Sequence, residues 1–297
     1  MRVAAVDLGT NTTRLLVADV ADGRLDELHR ETRITRLGEG VDARGRLLPL
    51  PIARVRNALT DYRRTLESLG AERTLAVATS AVRDADNGEA FLGEVEWSYG
   101  FTTHVATGDE EAGLTRRGVA PAAGTLVLDI GGGSTELVLD DFHVSLPVGS
   151  VRFTERYGED GARIDAETRA LLPELRPAAA IGVAGTVTTL AALDLELPEY
   201  DRERVHGHRL SRDAARAQRD RLASLSVEAR AALPAVEPQR APVIVAGAAI
   251  LVAVLDAFAL DAIEVSERDI LDGIALAAAE LPATPEGEVP PGAFTCC

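Results

Sequence analysis

Apolar residues fall along this chain in short runs separated by small polar turns, and the spacing within the runs alternates between strand and helix. Residues 3–7 form a Val/Ala-rich run that stops at Gly9, and residues 13–20 form a second containing Leu15, Leu16, Val17 and Val20. Gly9, Thr10, Asn11 and Thr12 lie between them, so the pair reads as a β-hairpin with Asp7 at the end of its first strand. Ile52, Val55, Leu59, Tyr62, Leu66 and Leu69 recur at helical spacing, predicting a helix over 50–69 closed by Gly70. Residues 74–78 predict a buried strand running into Thr79-Ser80-Ala81-Val82-Arg83-Asp84, and 109–118 predict a helix. A Pro/Ala/Gly break at 120–124 precedes strands at 125–129 and 135–139, with Gly131, Gly132, Gly133 and Ser134 between them. Further on, 180–183 reads as a strand, Ala184-Gly185-Thr186 as a turn, and 187–193 as the start of a helix. Residues 211–233 read as helical, 243–246 as a strand leading through Gly247 into an apolar helix, 263–265 as a last strand and 269–281 as a closing helix.

The pattern repeats. Asp7-Leu8-Gly9-Thr10-Asn11-Thr12-Thr13-Arg14-Leu15 aligns with Asp129-Ile130-Gly131-Gly132-Gly133-Ser134-Thr135-Glu136-Leu137 at a constant offset of 122 residues. Each copy follows a buried strand and opens one half of the chain, which predicts a duplicated α/β domain. The expected organisation is a first domain over 1–120, a second over 121–281, and a disordered Pro/Gly-rich tail over 282–297.

Composition narrows the chemistry. The 297 residues suffice for two domains, and 46% hydrophobic content excludes a wholly disordered chain. A net charge of −16 argues against non-specific nucleic-acid or anionic-membrane binding. All 31 basic residues are Arg, which removes mechanisms that need an amine, among them Schiff-base chemistry and phosphate binding through a P-loop lysine. Both cysteines are terminal, Cys296 and Cys297, so no disulfide framework or thiol nucleophile lies within the predicted fold. Such a pair can carry lipid in some cells, though a tail without a role is the plainer reading. No apolar run reaches the roughly 18 residues of a membrane span. Met1 and Arg2 lead directly into a strand with no signal peptide, so a cytoplasmic protein is expected.

A strand ending in Asp, a small-residue turn and a returning strand make a cradle for phosphate and metal. Glycine lets backbone N–H groups approach an anion, the hydroxyls of Thr10, Thr12 and Ser134 add donors, and the carboxylates of Asp7 and Asp129 suit a hard divalent cation. Two such cradles facing across a cleft would hold a phosphorylated ligand.

The two turns, together with Ala78-Thr79-Ser80-Ala81-Val82-Arg83-Asp84-Ala85-Asp86-Asn87, Thr107-Gly108-Asp109-Glu110-Glu111-Ala112, Gly182-Val183-Ala184-Gly185-Thr186-Val187-Thr188-Thr189-Leu190 and Ser266-Glu267-Arg268-Asp269-Ile270-Leu271-Asp272-Gly273, resemble the motif set of the exopolyphosphatase / guanosine pentaphosphate phosphohydrolase family. The likeness runs in order through nearly the whole chain and is nearest to short, two-domain actinobacterial members. It implies a duplicated ribonuclease-H-like, actin-like α/β fold with an interdomain cleft. It implies hydrolysis of a phosphoanhydride with release of terminal orthophosphate from inorganic polyphosphate. By the same resemblance Glu111 is the base, and Asp129 and Glu136 hold Mg²⁺ or Mn²⁺, with Asp7 as a third ligand. Arg83, Arg152, Gly9, Thr10, Asn11, Thr12, Gly131, Gly132, Gly133 and Ser134 grip phosphate, and Gly185 and Thr186 form a third ligand-facing loop. A homodimer is a further expectation from family members.

From the residues alone, Glu110 and Glu111 read equally as a solvated helix face, Glu136 as an exposed strand residue and Arg83 as a surface partner of Asp84 or Asp86. His206-Gly207-His208 lacks a third ligand at a recognised spacing and reads as a loop. A chain at −16 repels a polyanion at long range, so local arginines must bind it, with candidates in Arg33/Arg36, Arg116/Arg117 and Arg202/Arg204/Arg209. Alternative functions are a guanosine pentaphosphate 5′-phosphohydrolase producing ppGpp, a kinase of the same fold, and a non-catalytic polyphosphate or nucleotide sensor. The lack of internal cysteine speaks against the small zinc-bearing sugar kinases. Glu111, Asp129 and Glu136 speak against a sensor.

Overall fold

The computed structural model describes residues 1–282. The tail expected beyond them, with Cys296 and Cys297, lies outside the described residues. Two units emerge: Met1–Gly118 joined by the chain from Ile270 onward, and Val119–Asp269. In the first, β1 (Arg2–Leu8), β2 (Thr12–Ala21) and β3 (Arg24–Ile34) form an antiparallel meander. β4 (Arg73–Ala78) and β5 (Thr102–Val105) then add in parallel beside β1, giving the order β3-β2-β1-β4-β5. In the second, β6 (Thr125–Ile130), β7 (Thr135–Leu139) and β8 (Phe142–Leu146) repeat the meander. β9 (Ala179–Val183), β10 (Arg209–Ser211) and β11 (Ala262–Val265) complete the order β10-β11-β9-β6-β7-β8, with β9 and β11 parallel to β6 and β10 antiparallel at the edge. Without β10, the second sheet repeats the first in order and strand sense. This is the duplicated ribonuclease-H-like α/β fold.

β1 shows why the chain returns to its first unit. Ala4, Val6 and Leu8 face a cluster with the helices Pro49–Leu69 and Gly88–Tyr99, while Val3 and Ala5 point to the opposite side. A strand apolar on both faces needs two covers. The second is the C-terminal helix Ile270–Ala278, whose Ile270, Leu271, Ile274, Ala275 and Ala278 pack with Val3, Ala5, Leu16, Ala18, Leu75 and Val77. Continuity along the chain places 270–281 in the second domain, and the sequence leaves open that this last helix packs back on the first. The demand of β1 for a second cover brings the helix to the first unit instead.

Three other expectations change. Residues 243–246 are not a strand: Ile244 begins a helix that runs to Ala257, buried throughout from Ile244 to Leu255. A short apolar run cannot separate a buried strand from a buried helix by periodicity. Ala184, Gly185 and Thr186 are the first turn of the helix Ala184–Asp194 rather than a turn preceding it. The helix predicted over 211–233 divides into Arg212–Ala223 and Val227–Ala231, because the Ser226 side chain accepts from Ala229 N and starts a new helix.

Arg230 joins those two helices. It is only 1% exposed, donates from Nε to Leu222 O at 2.6 Å and grips both Glu159 oxygens, one of them at 2.7 Å. The hydrogen bonds from Arg230 hold the Glu159 carboxyl below its ordinary value of 4.5. Because the folded-state value is the depressed one, the stabilisation is full above the unfolded value and is lost as pH falls through the folded one. Glu159→Gln is therefore expected to cost about 1–3 kcal/mol at neutral pH by leaving a buried guanidinium short of its partner. Urea titrations of both proteins at several pH values should show the gap closing as pH drops into the acid range.

Candidate active site

Both glycine turns close in the same way. Gly9 N donates to Thr12 O and Gly131 N donates to Ser134 O, each at 2.9 Å. A Cβ on either glycine would stand 3.0 Å from that acceptor. In the second unit the helix Ser150–Tyr157 starts against this turn. Ser150 N donates to Gly131 O (3.0 Å), Val151 N and Arg152 N to Gly132 O (2.8 and 3.0 Å), and Arg152 Nε to Gly133 O (2.6 Å). A trans peptide points its N–H opposite to its carbonyl. The amides of Gly132, Gly133 and Ser134 therefore face away from the helix as a row of donors, an anion nest. The helix sits so close that a Cβ on Gly149 would meet the carbonyl carbons of Gly132 and Gly133 at 2.5 Å.

The first unit reaches a similar result from a different neighbour. Asn11 O accepts from Thr35 N and Arg36 N at 3.0 and 2.9 Å, and Thr10 O accepts from Gly38 N at 2.8 Å. The amides of Asn11 and Thr12 accordingly point the other way. The Asn11 side-chain oxygen is buried with no hydrogen bond among the described residues, a polar atom suited to a ligand or ordered water.

The two copies differ in charge. Asp7 lies opposite Arg14 across β1 and β2, and Asp7 Oδ2 accepts from Arg14 Nε at 2.8 Å. Asp7, which the sequence adds to the metal set, thus carries an ion pair of its own. At the equivalent positions of the second copy, Asp129 lies opposite Glu136 across β6 and β7. Directly opposite residues share a face of the sheet, so two carboxylates, 7% and 1% exposed, sit side by side. Glu136 Oε1 accepts from Ser145 Oγ at 2.7 Å. Burial and mutual repulsion make such a pair costly, and a hard divalent cation relieves both. The donor set fits Mg²⁺ or Mn²⁺. Among the described residues no three His, Cys, Asp or Glu side chains gather as a self-sufficient metal site, so phosphate and water oxygens would complete the coordination.

The two adjacent glutamates separate cleanly. Thr107 Oγ1 accepts from Glu110 N at 3.2 Å while Glu110 Oε2 accepts from Thr107 N at 2.8 Å, a reciprocal cap on the helix Gly108–Val119. The hydrogen bond from Thr107 N, helped by its hydroxyl and by His104, draws the Glu110 carboxyl below its ordinary value. Glu111 turns inward, 7% exposed, and its Oε2 accepts from Arg83 Nη1 at 3.0 Å. The same Nη1 donates to Ala106 O at 2.8 Å, which fixes the guanidinium from behind. Arg83 is thus not a surface partner of Asp84 or Asp86, and Glu111 is not on a solvated face.

In the second unit, Gly185 and Thr186 open the helix Ala184–Asp194, which starts from Ala184 in the left-handed region at φ 65°. For a residue with a Cβ that conformation costs about 1–2 kcal/mol, a strain found most often at functional corners. A Cβ on Gly185 would fall inside the guanidinium of Arg240. Arg240 therefore brings a cation to this loop, and no spacing in the sequence points to it. His206 and His208 do not form a metal pair: His206 Nδ1 accepts from Glu267 N at 3.2 Å, and His208 Nε2 lies 2.8 Å from Asp194 Oδ2. Of the arginines considered for gripping a polyanion, Arg33 pairs with Glu31 and Asp61, Arg117 with Glu280 and Arg202 with Glu267.

Comparison with known proteins agrees with the fold. The family model described as the Ppx/GppA phosphatase family matches residues 16–280. Exopolyphosphatase 2 of Mycobacterium tuberculosis is 41% identical over 94% of this chain and 98% of its own. The crystal structure of the Aquifex aeolicus member of the Ppx/GppA family superposes with a TM-score of 0.78 at 31% identity, covering 94% of this chain and 98% of that one. An exopolyphosphatase from Cytophaga hutchinsonii superposes with a TM-score of 0.84 at 25% identity over 92% and 96% of the two chains. A duplicated sheet with two Asp-led glycine turns, matched over nearly its whole length in sequence and in structure, makes this chain a member of the Ppx/GppA phosphatase family.

Proposed function

We propose that the protein is an exopolyphosphatase that hydrolyses the terminal phosphoanhydride of inorganic polyphosphate. The observation that carries this reading is the division of labour between Glu110 and Glu111. One caps the helix, and the other is buried against a guanidinium that is itself anchored, an arrangement that a solvated helix face has no reason to build.

The chemistry follows from the residues. The nests at residues 9–12 and 131–134, with Arg83 and Arg152, bind phosphate oxygens by directed N–H donors. Asp129 and Glu136 would hold a divalent cation, which when bound neutralises phosphate charge and makes the terminal phosphorus easier to attack. Glu111 orients a water molecule and accepts its proton as the water oxygen bonds to phosphorus. The bridging P–O bond breaks, the shortened chain leaves with the bonding electrons, and orthophosphate is released. In a transition state with charge spread over the transferred oxygens, fixed donors and the Arg83 cation supply most of the stabilisation. Among the described residues no helix is long and apolar enough to cross a membrane. No cysteine lies among the described residues, which accords with work in the cytoplasm.

Orthophosphate release should be measured on long polyphosphate, short polyphosphate, guanosine pentaphosphate and ATP, with and without Mg²⁺. Wild type should prefer polyphosphate, and a preference for guanosine pentaphosphate would replace the substrate while keeping the machinery. Glu111→Gln should lower kcat by about 10²–10⁴-fold. Glu110→Ala should keep activity and lose about 1 kcal/mol of stability with its cap. Equal activity of wild type and Glu111→Gln would remove the base assignment.

Chelation should abolish release and added Mg²⁺ restore it. Glu136→Gln should raise the Mg²⁺ concentration needed for half-maximal rate by at least about tenfold, the loss seen when even an outer metal partner is removed. An unchanged Mg²⁺ requirement in Glu136→Gln would place the cation elsewhere.

A further inference from the structure

Glu111 is supported by more than its own helix. The helix Gly108–Val119 carries Glu111 in its first turn and crosses Ile270–Ala278 one turn later, at Leu114 and Gly273. A Cβ on Gly273 would lie 2.7 Å from the carbonyl carbon of Leu114 and 3.1 Å from its Cα, and closer still to its oxygen. All three obstacles are backbone, so no side-chain rotation relieves them. Carbon atoms ordinarily rest about 3.5–4.0 Å apart, so any side chain at 273 forces the helices apart by on the order of 1 Å.

The C-terminal helix is the firmer of the two. Its apolar face fills the cluster under β1, β2 and β4. Asp272 pairs with Arg30 at 3.0 Å, both mostly buried, and Arg73 donates to Ala279 O at 2.9 Å just beyond the last turn. The helix carrying Glu111 is tied to it at the surface by Arg117, whose two nitrogens donate to the Glu280 oxygens at 2.9 and 2.6 Å. Ala106, which accepts from Arg83, belongs to the same buried cluster as Ile270, Leu271 and Ile274. Ala106 and Leu114 bracket Glu111 in the chain, so one helix underlies both supports of the Arg83–Glu111 contact.

We propose that the C-terminal helix sets the position of Glu111, with Gly273 as the positioning residue that fixes the depth of the helix Gly108–Val119. The inference rests on Glu111 as the base. Gly273 touches no substrate and acts through the Leu114 backbone. A misplacement of about 1 Å in a catalytic group can cost about 10²-fold in rate.

The experiment compares wild type, Gly273→Ala and Arg117→Ala in orthophosphate release from polyphosphate, with Glu111→Gln as the floor. Crystal structures of wild type and Gly273→Ala accompany the kinetics. Gly273→Ala is expected to fold, to lose about 10²-fold in kcat, to keep KM within about twofold, and to show Arg83 and Glu111 beyond hydrogen-bonding distance. Arg117→Ala, a surface change, is expected to lose about 2–5-fold in kcat at unchanged KM, the scale of one exposed ion pair. A merely structural glycine would lower the melting temperature but leave kcat per folded molecule and the Arg83–Glu111 contact as they are, and that result overturns the proposal. Should Gly273→Ala fail to fold, an unchanged kcat in Arg117→Ala overturns it. Inactive wild type would instead refute the exopolyphosphatase reading, and the Arg83–Glu111 distance in the two crystal structures would then decide the positioning role alone.

Discussion

Capturing the carbonyls of a tight turn commits its amides to the opposite side, and both halves of this chain are built around that commitment. The helix Ser150–Tyr157 takes the carbonyls of Gly131, Gly132 and Gly133, while the stretch from Thr35 to Gly38 takes those of Thr10 and Asn11. The directed N–H groups give each turn a local positive field of the kind that suits an anion, without a lysine. The repulsion from an acidic surface is screened within about 10 Å at ordinary salt, whereas donors of this kind act at contact.

Duplication gave two copies of one device, and one of the positions at which they differ changes the charge beside the aspartate. Arg14 in the first copy and Glu136 in the second occupy equivalent places opposite equivalent aspartates. The arginine closes the first copy on itself as an ion pair. The glutamate leaves the second with two adjoining buried carboxylates. The same backbone frame thus carries an ion pair in one unit and a carboxylate pair in the other.

Much of this was legible in the sequence. The hairpins, their Asp-led turns and the offset between them follow from short apolar runs broken by small polar residues, and register then places Asp129 opposite Glu136. The role of Glu110 was also there to be found, since Thr107 three residues ahead of it is the pattern of a reciprocal cap. Arg14 was visible too, as the residue aligned with Glu136. β3 was hidden, because an edge strand such as Arg24–Ile34 carries charge on six of its eleven residues and shows no apolar alternation. Arg240 was hidden for a different reason: its guanidinium meets Gly185 from more than fifty residues away, and no local pattern encodes a contact between distant segments. The stretch 243–246 misled because valine and alanine suit a buried helix as well as a buried strand.

β1 and its second cover lie at opposite ends of the chain. On the ribosome, β1 emerges more than two hundred residues before the helix Ile270–Ala278 that shields Val3 and Ala5. At about 5–20 residues per second, one face of the central strand waits for tens of seconds while the whole second unit is made. Until that helix is made, the face of β1 that carries Val3 and Ala5 lacks its second cover. Completion of the first unit is therefore a post-translational event in time, although no covalent change occurs, and a chain stalled before residue 270 carries a finished second unit beside an unfinished first.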